Sequence, residues 1–138
     1  MRANDVSVTV TIDTEEDNWG SYHESGATTE NISYLEELQD HFERWGARAT
    51  YLVNRPPLMS SASVETLGRL ATREDVEVGG HCHPWNSPPA TGEGIEKSMM
   101  CNLPTEANRA KIADVRLRIE TELGVQPTSF RAGRWGFG

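Results

Sequence analysis

The stretch VEVGGHCHPWNSPP, residues 76–89, changes character at its middle. Val76 and Val78 fall at every second position, the period of a strand, and the prolines from Pro84 onward cannot continue one. Between the two halves stand His81 and His83, in a chain that has only 4 histidines. A period of two turns both imidazoles to one face and Cys82 to the other. Two imidazoles and a carboxylate are a common ligand set for a divalent metal ion, with positions left open for water and substrate.

Working outward, Val6, Val8, Val10 and Ile12 alternate with Ser7, Thr9, Thr11 and Asp13, which predicts a first strand with Asp13 at its carboxyl end. If that strand runs two residues further, Glu15 shares the face of Asp13. Ile32, Leu35, Leu38, Phe42 and Trp45 recur at helical spacing, and Gly46 stops the helix. ATYLV (49–53) reads as a second strand closed by Pro56 and Pro57, and Val64, Leu67 and Leu70 mark a second helix over 63–73. After a long loop over 84–104, Pro104 and Thr105 open a third helix with Ile112, Val115, Ile119 and Leu123 on one side and Gly124 at its end. TSFRAGRWG (128–136) is a fourth strand running into a loop. The order β-α-β-α-β-α-β, with crossovers long enough to hold helices, predicts a parallel sheet in an α/β layered or barrel fold. In such folds chemistry gathers at the carboxyl ends of the strands, where DTEED (13–17), HCHPW (81–85) and RAGRWG (131–136) fall.

Composition narrows the setting. A chain of 138 residues fits one domain, 1–138, and its last strand has no helix after it to cover it, so a truncated domain is expected, with a sheet edge open to self-association. Lys and Arg number 13 against 21 Asp and Glu, a net charge of −8 with no basic run, which argues against a nucleic-acid partner. No apolar run is long enough to cross a bilayer, and MRANDVSVTVTID lacks the pattern of a secretory signal, so a soluble, cytoplasmic chain is expected. Cys82 and Cys101 form no CxxC pair and read as reduced thiols.

Each motif alone has a plainer reading. An isolated HxH is most often two surface or hydrogen-bonded histidines, and an acidic run is most often a solvated loop. Arg131 and Arg134 would ordinarily be surface charges and Trp135 an edge anchor. Their meeting at one end of one sheet points instead to hydrolysis. A divalent ion acidifies water and polarises a carbonyl, and a neighbouring carboxylate takes the proton.

TIDTEED, HCHPW and FRAGRWG, in that order, resemble the first three motifs of the polysaccharide deacetylases, the NodB homology domain or carbohydrate esterase family 4. The longer runs HPWNSPP and SFRAGRWGFG resemble its exopolysaccharide-related branch. The resemblance implies the N-terminal part of a NodB-type distorted (β/α) barrel and metal-dependent removal of N-acetyl groups from a carbohydrate polymer, with zinc as the expected ion. It makes Asp13 the general base, Arg131 its orienting partner, Glu15, His81 and His83 the metal ligands, and Trp85, Arg134 and Trp135 substrate-binding residues. The commonest family pattern has adjacent aspartates and histidines four apart. Here Thr14 follows Asp13 and Trp85 stands four after His81, so the metal roles pass to Glu15, with Asp17 the alternative, and to His83. A complete domain of this kind supplies a further acid, an aromatic wall and a general-acid histidine later in the chain. His23 and His41, in an early loop and the first helix, are poor substitutes. The rival readings are a metal-binding fragment without turnover and an amidohydrolase-like barrel. In the latter HxH belongs to the first strand, whereas here an Asp motif precedes it.

Overall fold

The computed structural model describes residues 7–22, 26–92 and 94–136; Val6 and His23 lie outside the described residues. Four strands form one parallel sheet in chain order, β1 (Val10–Thr14), β2 (Ala49–Val53), β3 (Val76–Cys82) and β4 (Phe130–Ala132). Between them run α1 (Leu35–Arg44), the pair α2 (Arg55–Met59) and α3 (Ser61–Ala71), and α4 (Thr105–Arg118). The architecture is the α/β alternation that the sequence predicts, with differences at the element ends.

Register sorts the side chains into two faces. Val10 lies beside Ala49 and Ala49 beside Val76, Tyr51 beside Val78, and Cys82 beside Ala132. This face meets the helices, and its residues join Ile32, Leu35, Leu67, Leu70, Val115 and Ile119 in one core. Burying each large aliphatic side chain there is worth about 1.5–3 kcal/mol, which is what holds short helices of modest propensity in place. The other face carries Thr11 and Asp13, Thr50 and Leu52, Glu77 and Gly79, then His81 beside Arg131.

That second face is concave. In a flat sheet with strands about 4.8 Å apart, β1 and β4 would stand roughly 14 Å from each other, farther than an arginine and an aspartate can bridge. Yet Arg131 on β4 donates from Nη1 to Asp13 Oδ1 on β1 at 2.6 Å, and from Nη2 to the Thr11 hydroxyl. The sheet is therefore curled into an open half-barrel. Gly79 permits the curl at its middle, because a Cβ there would overlap Ser129 Oγ and a methyl of Leu52.

The element ends differ from the sequence pattern for local reasons. β1 begins at Val10 and continues through Thr14, later than the alternation from Val6 suggests. Trp45 continues the helical spacing but falls just past Arg44, the last residue of α1, and is 87% exposed; Gly46 follows at φ 66°, the left-handed stop that only glycine adopts cheaply. Pro56 and Pro57 begin α2 as well as ending the strand, since a first helical turn needs no N–H from them. β4 is only 3 residues long, after which Gly133–Trp135 make a tight turn with Arg134 and Trp135 at positive φ.

Among the described residues no helix is long and apolar enough to cross a membrane. The two thiols lie in contrasting settings. Cys82 is fully buried on the helix-covered face and burial pushes its thiol up to about 11, while Cys101 is exposed. Iodoacetamide at neutral pH should modify a single thiol of the native chain and both after denaturation; rapid double modification of the folded protein would contradict this placement.

Candidate metal centre

The carboxyl ends of β1 and β3 bring the chemistry together. Thr14 closes β1 with its carbonyl accepting from the Asn54 backbone N–H at 3.1 Å, and the next residue, Glu15, reaches across the rim of the half-barrel. His81, in β3, and His83, just beyond it, are 1% and 2% exposed. The intervening Cys82 points into the core, as a period of two requires. Glu15 Oε2 lies 3.2 Å from His81 Nε2 and 2.5 Å from His83 Nε2, and the two Nε2 atoms are 3.2 Å apart.

The donor chemistry of this trio fits a divalent cation. His81 Nδ1 sits 2.9 Å from the carbonyl oxygen of Arg131, which can only accept, so Nδ1 carries the proton and the neutral ring offers a lone pair at Nε2. That lone pair faces a carboxylate oxygen and a second imidazole nitrogen. Acceptors so arranged repel one another unless a proton or a cation lies among them. Each of the three residues offers one ligand atom, all within 4.8 Å of one another. Burial by itself raises the Glu15 carboxyl, but the hydrogen bonds and charges of His81 and His83 outweigh it and bring the group down to about 2. Burial pushes His83 below the ordinary imidazole value, against the pull of Glu15. The downward shift at His83 favours the neutral ring, the form that ligates metal.

The other expected residues divide. Asp13 is on the concave face with Thr11, held by Arg131 at 2.6 Å, and the Arg131 guanidinium lies 4.5 Å from the centre of the Trp135 ring. Trp135 is 75% exposed and so presents an open indole beside that pair. Asp17 serves elsewhere, accepting the backbone N–H groups of Glu30 and Asn31 at 2.9 and 3.0 Å. Arg134 bonds to the Ser98 hydroxyl and lies over the Tyr22 ring at 5.1 Å, and Trp85 stacks on His83 with ring centres 4.0 Å apart.

Four residues around the trio escape the sequence reading. Glu16 is 1% exposed and takes hydrogen bonds from Asn54 Nδ2 at 2.6 Å, Asn86 Nδ2 at 2.9 Å and Trp85 Nε1 at 3.2 Å, tying together the segments that follow β1, β2 and β3. Asn54 was findable, since it is the first residue after a strand at the end where chemistry gathers. Lys111 is fully buried and its ammonium donates to the carbonyls of Pro84 (2.9 Å), Ser87 and Pro89 (2.5 Å), which shapes the loop after His83. Its signal was a lysine in the stripe with Val115 and Ile119, four and eight residues on.

Two solved structures are similar to this chain in fold. The acetyl xylan esterase of family 4 from Clostridium thermocellum, in complex with a cobalt ion, superposes with a TM-score of 0.58 at 18% identity, over 92% of this chain and 51% of its own. Peptidoglycan deacetylase PdaC from Bacillus subtilis, in a mutant form, gives a TM-score of 0.57 at 21% identity, over 95% of this chain and 51% of its own. The chain has the fold of the N-terminal part of a NodB-type barrel. It spans about half the length of both structures. No protein-family profile matches the sequence, and no curated protein does.

Proposed function

We propose that this chain carries the metal-binding and water-activating part of a carbohydrate-polymer deacetylase, with Glu15, His81 and His83 as ligands of a divalent ion, zinc being the one expected. The observation that carries the reading is the convergence of one carboxylate oxygen and two imidazole Nε2 atoms at the strand ends. A divalent ion held there would acidify water and polarise the acetyl carbonyl. Asp13, two residues before Glu15 and fixed by Arg131, takes the proton of the attacking water. Arg131 holds the carboxylate in place. Trp135, stacked on Arg131 and open to solvent, offers a flat apolar face to a sugar ring. The likeness to an esterase and a deacetylase of carbohydrate polymers supports the substrate class.

A second reading, a fragment that binds the ion without turnover, is favoured by the coverage of only about half of each similar structure. Acetate release from an N-acetylated polysaccharide and bound metal, measured on one purified sample, separate the two. Metal with acetate supports the deacetylase, metal without acetate the inert fragment, and neither rejects both. Where acetate is released, Asp13→Asn should lower the rate by about 10²–10⁴-fold, the usual worth of a general base, with metal content unchanged. The amide keeps an oxygen for Arg131, so geometry is preserved; loss of the ion together with activity would make Asp13 a ligand instead.

A further inference from the structure

A metal-ligating histidine ordinarily has its second ring nitrogen fixed by a hydrogen bond, which sets both tautomer and orientation. His81 obeys, through the Arg131 carbonyl. His83 does not, for its Nδ1 is buried with no hydrogen-bond partner among the described residues. What surrounds that nitrogen is packing. A Cβ on Gly133 would overlap His83 Nδ1, so bare backbone closes one side. The Trp85 ring covers a face of the imidazole at 4.0 Å and 23°.

Trp85 is itself immobilised from two directions. Its indole N–H donates to Glu16 Oε1, and the same carboxylate is locked by Asn54 and Asn86. Tyr22 meets the indole edge-on at 5.1 Å and 70°, and the Arg134 guanidinium lies over Tyr22 at 5.1 Å. Tyr22, Arg134 and Trp135 are the non-glycine residues with positive φ among those described. Left-handed backbone in such residues is unfavourable and persists where surrounding contacts demand it. Two of the three belong to this stack.

We propose that Trp85 is a positioning residue for His83, its stacked ring replacing the missing hydrogen bond, and that Glu16 is the anchor that holds Trp85 there. The inference rests on the metal-centre reading above. It assigns the Trp85 indole to the protein's own histidine, with its N–H already committed to a buried carboxylate. Trp19 also lies parallel to the His83 ring but at 6.2 Å, against 4.0 Å for Trp85, so the closer face contact is the one that a smaller side chain at position 85 removes.

The test is Co²⁺ titration of the full chain, read by the visible absorption of the bound ion, with circular dichroism to verify folding. Trp85→Leu should weaken Co²⁺ by roughly ten- to hundred-fold, the usual effect of losing support around a ligand, and change the intensity of the visible bands. Trp85→Phe keeps a ring on the imidazole and should recover most of the affinity. Glu16→Leu should weaken binding, whereas Glu16→Gln keeps an acceptor for Trp85 and Asn86 and can pair its amide with Asn54 Oδ1, which has no partner among the described residues, so it should bind nearly as the parent does. In a Trp85→Leu background, Glu16→Leu should cost nothing more, because the anchor has lost what it held. Folded Trp85→Leu protein with parental affinity and spectrum overturns the proposal while leaving the metal centre standing. If Trp85→Leu does not fold, the Glu16→Leu and Glu16→Gln pair decides: equal affinities overturn it. A parent chain that binds no Co²⁺ overturns the metal-centre reading as well.

Discussion

Alanine at His81 or at His83 should lower the affinity for Zn²⁺ or Co²⁺ by at least about 100-fold, because three protein ligands fall to two. Serine at Cys82 should leave it nearly unchanged, since that side chain is buried in the core on the opposite face. The pH dependence follows from the shifts at the site. Glu15, brought down to about 2, stays ionised throughout the working range and contributes nothing to the fall in affinity on acidification. The fall belongs to the imidazoles, whose protonated forms cannot ligate. Burial holds His83 below the ordinary imidazole value of about 6.5, so the loss of affinity that His83 causes should fall beneath that pH, with a proton released from it on binding in that range. Metal titrations of the three single variants between pH 5 and 8 check both statements. His83→Ala binding as tightly as the parent would remove His83 from the ligand set.

The largest effect on stability is expected at Lys111. Its ammonium is fully buried and donates to three carbonyls of one loop, those of Pro84, Ser87 and Pro89. Burial works against the charge, pushing the lysine below its ordinary value. Lys111→Met abolishes that cost and keeps the apolar stem, yet strands three buried acceptors, each worth about 1–3 kcal/mol when unsatisfied. The second term wins, and a net loss of about 2–4 kcal/mol is expected, a fall in Tm of roughly 10 °C for a domain of this size. Because the loop begins at the residue after His83 and contains Trp85, metal affinity should fall as well. A melting curve matching the parent's would show that the loop holds its shape without the lysine.

The sheet was legible because its signals are local and periodic. Alternation at Val76 and Val78, and at Val10 and Ile12, gave strands, and three long crossovers made them parallel. Gly46 and Gly124, at φ 66° and 69°, ended helices where glycine was read as a stop. Trp45 was misjudged because helical spacing says nothing about where a helix ends, and the tryptophan falls one residue beyond. Asp13, Arg131 and the HxH pair were visible as polar groups at strand ends. The support around them was not. Glu16 belongs to an acidic run that reads as solvated, and only folding brings Asn54, Trp85 and Asn86 onto its carboxylate. Lys111 likewise depends on a loop 22–27 residues away in sequence. Those partners are set by long-range contacts, which a local pattern does not specify.

X-ray absorption at the zinc edge of the zinc-loaded chain tests the central claim most directly. The expected result is one ion per chain, a shell of nitrogen and oxygen at about 2.0–2.2 Å, and the outer scattering of two imidazoles, matching Glu15, His81 and His83. A sulfur shell near about 2.3 Å, or the absence of imidazole scattering from a stoichiometrically loaded protein, would contradict it.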